Sequence, residues 1–107
     1  MKLDLPTEHG FGRPYVSKGP GGFTMYYSIR KRHPAAYRLG LAGSHDGLVW
    51  QRRDADLNLD VTPGDEATTW DAHSVEYSAE LVTGAKTWLL YNGNDFGGSG
   101  FGIAERT

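Results

Sequence analysis

The sequence predicts an all-β protein made of two antiparallel four-stranded sheets, each resembling one blade of a propeller. Three observations lead there. The first is an imperfect internal repeat. Phe23-Thr24-Met25-Tyr26-Tyr27-Ser28 is echoed by Thr87-Trp88-Leu89-Leu90-Tyr91-Asn92, and Leu39-Gly40-Leu41-Ala42 by Phe101-Gly102-Ile103-Ala104. Leu3-Asp4-Leu5 and Leu59-Asp60-Val61 open the two copies, and Arg13-Pro14-Tyr15-Val16 corresponds to Glu76-Tyr77-Ser78-Ala79. The period is roughly 55–65 residues, which is two copies of one supersecondary unit. The second observation is composition: 15 glycines in 107 residues, with 12% aromatics, fit short strands joined by tight turns. The third is that no long stretch carries an apolar stripe with a helical period.

The elements follow in order. Lys2 to Leu5 is a short extra strand. A first strand through Val16 and a second from Phe23 to Ile29 flank Gly19-Pro20-Gly21-Gly22 and read as a hairpin. Arg30-Lys31-Arg32-His33-Pro34 is a solvated basic loop. Tyr37 to Ser44 is the third strand. His45-Asp46-Gly47 turns the chain, since Asp-Gly favours tight hairpins, and Val49 to Arg52 is the fourth strand. Four strands in meander make one blade. Asp54 to Thr69, with Pro63-Gly64, is a polar connection. Ser74 to Val82, Lys86 to Asn92 and Phe101 to Glu105 are the strands of the second unit, which has no fourth strand of its own. The single domain thus holds repeats at 3–53 and 59–107.

Composition excludes several classes. There is no cysteine, so disulfides, thiolate metal sites and thiol catalysis are out. A formal charge of −2 with intermixed signs leaves no electrostatic footprint for nucleic acid or for an anionic membrane. No apolar run reaches the ~18 residues of a membrane span. Met1 to Leu5 lacks a signal-peptide core, so a cytoplasmic protein is expected. His9, His33, His45 and His73 have no metal-ligand spacing. Neither a metal nor another cofactor is expected.

Gly12-Arg13-Pro14-Tyr15-Val16, Met25-Tyr26-Tyr27-Ser28, Tyr37 to Ala42 and the turn Ser44-His45-Asp46-Gly47-Leu48-Val49-Trp50 follow one another as in a propeller blade. Trp70-Asp71, Val75-Glu76-Tyr77, Leu90-Tyr91-Asn92-Gly93-Asn94 and Gly100 to Ala104 look like the last blade of the same proteins. The chain resembles the C-terminal two blades of the five-bladed propellers of the β-fructosidase and arabinanase superfamily of glycoside hydrolases. The resemblance implies that Asp46 bonds turn amides and that Trp50 packs between blades. It also implies carboxylates on the innermost strands, around a central axis.

Glu76 is the candidate general acid or sugar-hydroxyl ligand. Its alternative is an ion pair with Arg13 of the neighbouring blade. Arg13 is itself a candidate binder of a carboxylate or sugar oxygen. Asp71 is a second candidate catalytic carboxylate, or else a loop cap beside Trp70. Tyr27, Asn92 and Asn94 are candidate ligand contacts, with core packing for Tyr27 and turn formation for the asparagines as alternatives. Two departures weigh against hydrolysis: Pro14 and His73 stand where the resemblance implies acidic residues. The expectation is therefore a non-catalytic sugar-binding or vestigial module. The alternative is a glycoside hydrolase working through axial carboxylates. Two blades leave edges bare, and bare edges invite pairing. The chain is expected to partner itself head to tail in a ring, with Leu3-Asp4-Leu5 of one copy completing the last blade of another.

Overall fold

The computed structural model describes residues 1–32 and 35–106. Among the described residues, seven strands form two antiparallel sheets. The first runs β1 (Glu8–Gly19), β2 (Gly22–Lys31), β3 (Ala36–Ser44), β4 (Gln51–Arg52). The second runs β5 (Glu76–Thr83), β6 (Lys86–Asn92), β7 (Phe101–Arg106). Both are meanders, as the repeat implies. Two single helical turns, α1 (Asp54–Leu57) and α2 (Asn94–Gly97), interrupt the connections where no helix was expected. His33 and Pro34 of the basic loop lie outside the described residues.

The second sheet has three strands rather than four. The fourth strand of the first sheet is itself minimal, pairing only Arg52 with Ala42 and Gln51 with Gly43. Among the described residues nothing takes the corresponding place beside β7. The expected strand at Lys2 to Leu5 does not form. Pro6 has no amide to give a ladder, and the chain turns so that the Thr7 and Glu8 amides both donate to the Asp4 carbonyl. Arg52 donates to the Lys2 carbonyl and Arg32 to that of Leu5. Arginine side chains thus occupy acceptors that a sheet ladder would have used.

The repeat holds in three dimensions, residue against residue. Gly12 pairs with Ser28, and Glu76 with Asn92. Beyond each pair the first strand bulges, and pairing resumes at Tyr15 with Tyr26 and at Ala79 with Leu90. The register therefore aligns Glu76 with Gly12 and Tyr77 with Arg13. Arg13 and Tyr77 both sit in the left-handed region, at φ 47° and 57°. The third strands correspond as read, with Leu39, Gly40 and Leu41 placed like Phe101, Gly102 and Ile103.

Strand alternation divides the core in two. Tyr26 and Leu39 of the first sheet pack against Val75, Leu89 and Tyr91 of the second, with Tyr15, Leu41 and Trp70 at the margin. On the far face of the first sheet, Met25, Tyr27, Ile29 and Ala42 are covered by Phe11 and Trp50. Trp50 thus closes this outer face and does not pack between the two sheets; its Nε1 donates to the Gly47 carbonyl. Asp46 accepts from the Leu48 and Val49 amides, as a turn-forming Asp should. Those amides hold its carboxyl below the ordinary range.

A charged cluster seals the far face. Arg52 makes two 2.7 Å contacts to buried Glu8 and one of 2.7 Å to Asp54, and lies over the Phe11 ring. The bidentate hydrogen bond to Arg52 holds the Glu8 carboxyl below its ordinary range, against the effect of burial.

Candidate functional site

Glu76 enters β5 where the lead-in segment clips onto the first sheet. The Val75 amide donates to the Tyr37 carbonyl, the Tyr37 amide to Ser74 Oγ, and the Tyr77 amide to Ser28 Oγ. Arg38 ties the Tyr37 and His73 carbonyls together. These bonds bury Glu76 completely, at 0% exposure. Neither carboxyl oxygen has a hydrogen-bond partner. Burial pushes its pKa from 4.5 to about 7; the Phe96 amide and the His73 ring pull the other way without bonding to it, and Asp95 adds to the rise. The expected alternative, a pair with Arg13, is absent: Arg13 is exposed and lies 5.8 Å over the Tyr77 ring.

Glu76 lines a cleft of about 310 Å³ between the ends of the two sheets. His9, Arg30 and Lys31 come from β1 and β2, His73 and Ser74 from the β5 lead-in, and Ala35, Ala36, Tyr37, Asp95 and Phe96 complete the lining. Three aromatic rings gather there. Tyr37 meets Tyr77 and Phe96 edge-on at 5.8 and 5.3 Å, and Tyr77 stacks on Phe96 at 5.5 Å. Phe96 is nonetheless 57% exposed. Backbone strain concentrates at the same place: Asp95 and Phe96 of α2 have φ 56° and 54°, alongside Tyr77 and Arg13. Such conformations cost of order 1–3 kcal/mol each and cluster at functional sites. A larger groove of about 550 Å³ lies between the β1–β2 turn and the Ser44 to Asp46 turn. It holds no buried, unpartnered polar atom among the described residues, and Asp46 there is occupied by its own turn. The Glu76 cleft is the stronger candidate.

The other expected residues fall elsewhere or are already engaged. Asp71 is buried away from the cleft, where it accepts a 2.6 Å bond from Thr62 Oγ1. Tyr27 is buried on the far face, and its hydroxyl donates to Asp54 at 2.5 Å. Burial first, and then this bond, raises its pKa far above the usual phenol range. Asn94 is a clamp: its Oδ1 accepts from the His73 and Ser74 amides and its Nδ2 donates to the Thr69 and Glu66 carbonyls. Asn92 is half-buried, directly across the ladder from Glu76. Of the expected residues Glu76 lines the cleft and Asn92 is its ladder partner, while Arg13, Asp71, Tyr27 and Asn94 lie outside the lining. Among the described residues no three His, Asp or Glu side chains gather as a metal site.

Tyr37, Phe96, Asp95, Arg30, Lys31 and the two histidines of the lining were not singled out as site residues. The histidines are 64 positions apart, so their convergence depends on the repeat stacking. The basic run gave one usable signal, its position at a strand end, but its members diverge. Arg32 turns inward to the Leu5 and Glu8 carbonyls, Arg30 lines the cleft beside Tyr37, and the Lys31 side chain lies on the far face, across the ladder from Glu8.

No family model matches the chain, and no solved structure matches it. It is similar to the uncharacterized protein Rv1502 of Mycobacterium tuberculosis strain H37Rv, at 35% identity over 92 residues. It is similar also to the uncharacterized protein MT1551 of strain CDC 1551, at 34% over 92 residues. In both cases the match covers 86% of this chain and 28% of the relative. The chain therefore spans little more than a quarter of the length of the curated relatives it matches.

Proposed function

We propose that this chain is a two-blade unit of a β-propeller that binds carbohydrate at the Glu76 cleft. The observation that carries the reading is the buried, unpartnered Glu76 carboxyl beneath the Tyr37, Tyr77 and Phe96 rings. Aromatic faces suit the apolar faces of sugar rings. A carboxyl near its pKa both donates and accepts, as paired sugar hydroxyls require. Glu76 has no open surface, so a ligand reaches it by displacing the strained Asp95-Phe96 turn. The meander sheets, the register of the repeat and the much greater length of the relatives support a propeller context.

The test is binding of wild type and Glu76→Leu to an oligosaccharide panel. Wild type should bind, and the Leu variant, which can neither donate nor accept, should bind about tenfold more weakly. Equal binding by both would remove Glu76 from the site.

A second reading is supported by the pKa of Glu76, which suits a general acid near neutrality. The unit would then contribute one carboxyl of a glycoside hydrolase. Asp95, and not Asp71, is the second carboxylate of this cleft. Turnover falling as pH rises through about 7, and abolished in Glu76→Gln, would distinguish hydrolysis from binding alone.

A further inference from the structure

We propose that the cleft selects carboxylated sugars, of the uronic acid class, over neutral ones, with Arg30 as the charge-reading residue. This rests on the carbohydrate-binding reading above and adds the ligand's charge. The lining sets a cation beside an aromatic ring. Arg30 and Tyr37 are directly paired across the β2–β3 ladder, so their side chains share one face. Phe96 meets Tyr37 edge-on, and Ser74 and Glu76 belong to the same lining. Arg30 is in no ion pair among the described residues, whereas Arg38, Arg52, Lys86 and Arg106 are. Lys31, across the ladder from Glu8, serves that carboxylate on the far face. The Arg30 stem lies against the backbone at Gly10, where the missing side chain leaves it room. Its fork is thus carried on a supported stem beside the cleft, the geometry in which guanidinium recognises a planar carboxylate.

The floor works in the same direction. A second ionised carboxylate would repel an acidic ligand, but burial keeps Glu76 protonated over much of the range below neutrality. Asp95, the other acid of the lining, belongs to the α2 turn. A ring stacked on Tyr37, with its carboxylate toward the neighbouring Arg30, meets both groups.

The experiment is calorimetric titration of the whole chain with trigalacturonic acid and with its carboxyl-reduced, neutral counterpart. The acid should bind at least about tenfold more tightly at low salt, and the gap should narrow as salt is raised. The variant Arg30→Gln, at an exposed side chain, should erase the preference, with the melting temperature reporting that the fold is kept. Equal or tighter binding of the neutral sugar by wild type overturns the charge preference while leaving carbohydrate binding standing. A preference that survives Arg30→Gln overturns the assignment to that residue. If neither sugar binds, and none of a wider panel does, both readings fail together.

Discussion

Glu76 keeps its proton to about pH 7 in the folded chain, whereas in the unfolded chain it loses it in the ordinary carboxylate range near 4.5. Between those values the folded state holds more protons, so stability falls as pH rises through the window. The full difference is worth ~3 kcal/mol, at 1.36 kcal/mol per pKa unit. Glu8 works in the opposite sense. Its folded pKa is lowered by Arg52, so its contribution is lost only on acidification below the carboxylate range. The two effects place the stability optimum near pH 5. Thermal unfolding should show the melting temperature rising as pH is lowered from about 8 to about 5.5. Glu76→Gln should flatten that slope and raise stability at the alkaline end. An unchanged slope in the variant would mean that other groups carry it.

At the scale of elements, each repeat stacks a tyrosine on a glycine across the ladder. Tyr27 faces Gly40, and Tyr91 faces Gly102. A Cβ at Gly40 would overlap the Tyr27 ring; one at Gly102 would lie 2.5 Å from Trp70 and 3.0 Å from Tyr91. Gly40→Ala and Gly102→Ala should therefore each destabilise by ~1–3 kcal/mol in urea unfolding, as overpacking does. A cost of a few tenths would show that the rings move aside freely. The Arg52 cluster gives a second case. Arg52→Met leaves buried Glu8 without its bidentate partner and should cost ~3–5 kcal/mol, with Arg52→Lys recovering only part. Of these features the tyrosine–glycine pairs were legible, because a repeated Tyr and a repeated Gly sit at matching offsets. The Glu8–Arg52–Asp54 cluster was not. It joins residues from the first strand, the last strand of the sheet and a helical turn, and no local pattern links them. The same limit applied to the site. Glu76 stood out as an acid in a strand, but its aromatic neighbours come from three separate elements: Tyr37 from β3, Tyr77 from β5 and Phe96 from the α2 turn. The left-handed Asp95 and Phe96 there have no sequence signature beyond a Gly-rich setting. Lys2 to Leu5 was misread for the converse reason: its local pattern suits a strand, and distant arginines claimed its carbonyls.

At the scale of the molecule, the repeat gives an argument about what covers the second sheet. The first sheet buries Tyr26 and Leu39, with Leu41 beside them, against the second. The residues in the same positions of the second sheet are Leu90, Phe101 and Ile103. Phe101 and Ile103 are 71% and 54% exposed, and Leu81 beside them is exposed too. A face that one repeat uses to receive a sheet is bare in the other. Such a face is a docking surface when contiguous and apolar. Because the two sheets stack in the same sense, the surface invites another sheet in sequence, not its own mirror copy. That contact is heterologous and must close into a ring or run on. We therefore expect this chain to self-associate head to tail through the β7 face. Lys2 to Leu5 has no part in that contact, since arginines of its own chain hold it. Light scattering should give a discrete multiple of the 11.8 kDa chain mass. Ile103→Lys, at an exposed position, should reduce it to the single-chain mass while preserving the strand signature in circular dichroism. A wild-type chain that stays monomeric at high concentration would leave the β7 face free, and its natural cover would then be a sheet of a longer polypeptide like the relatives.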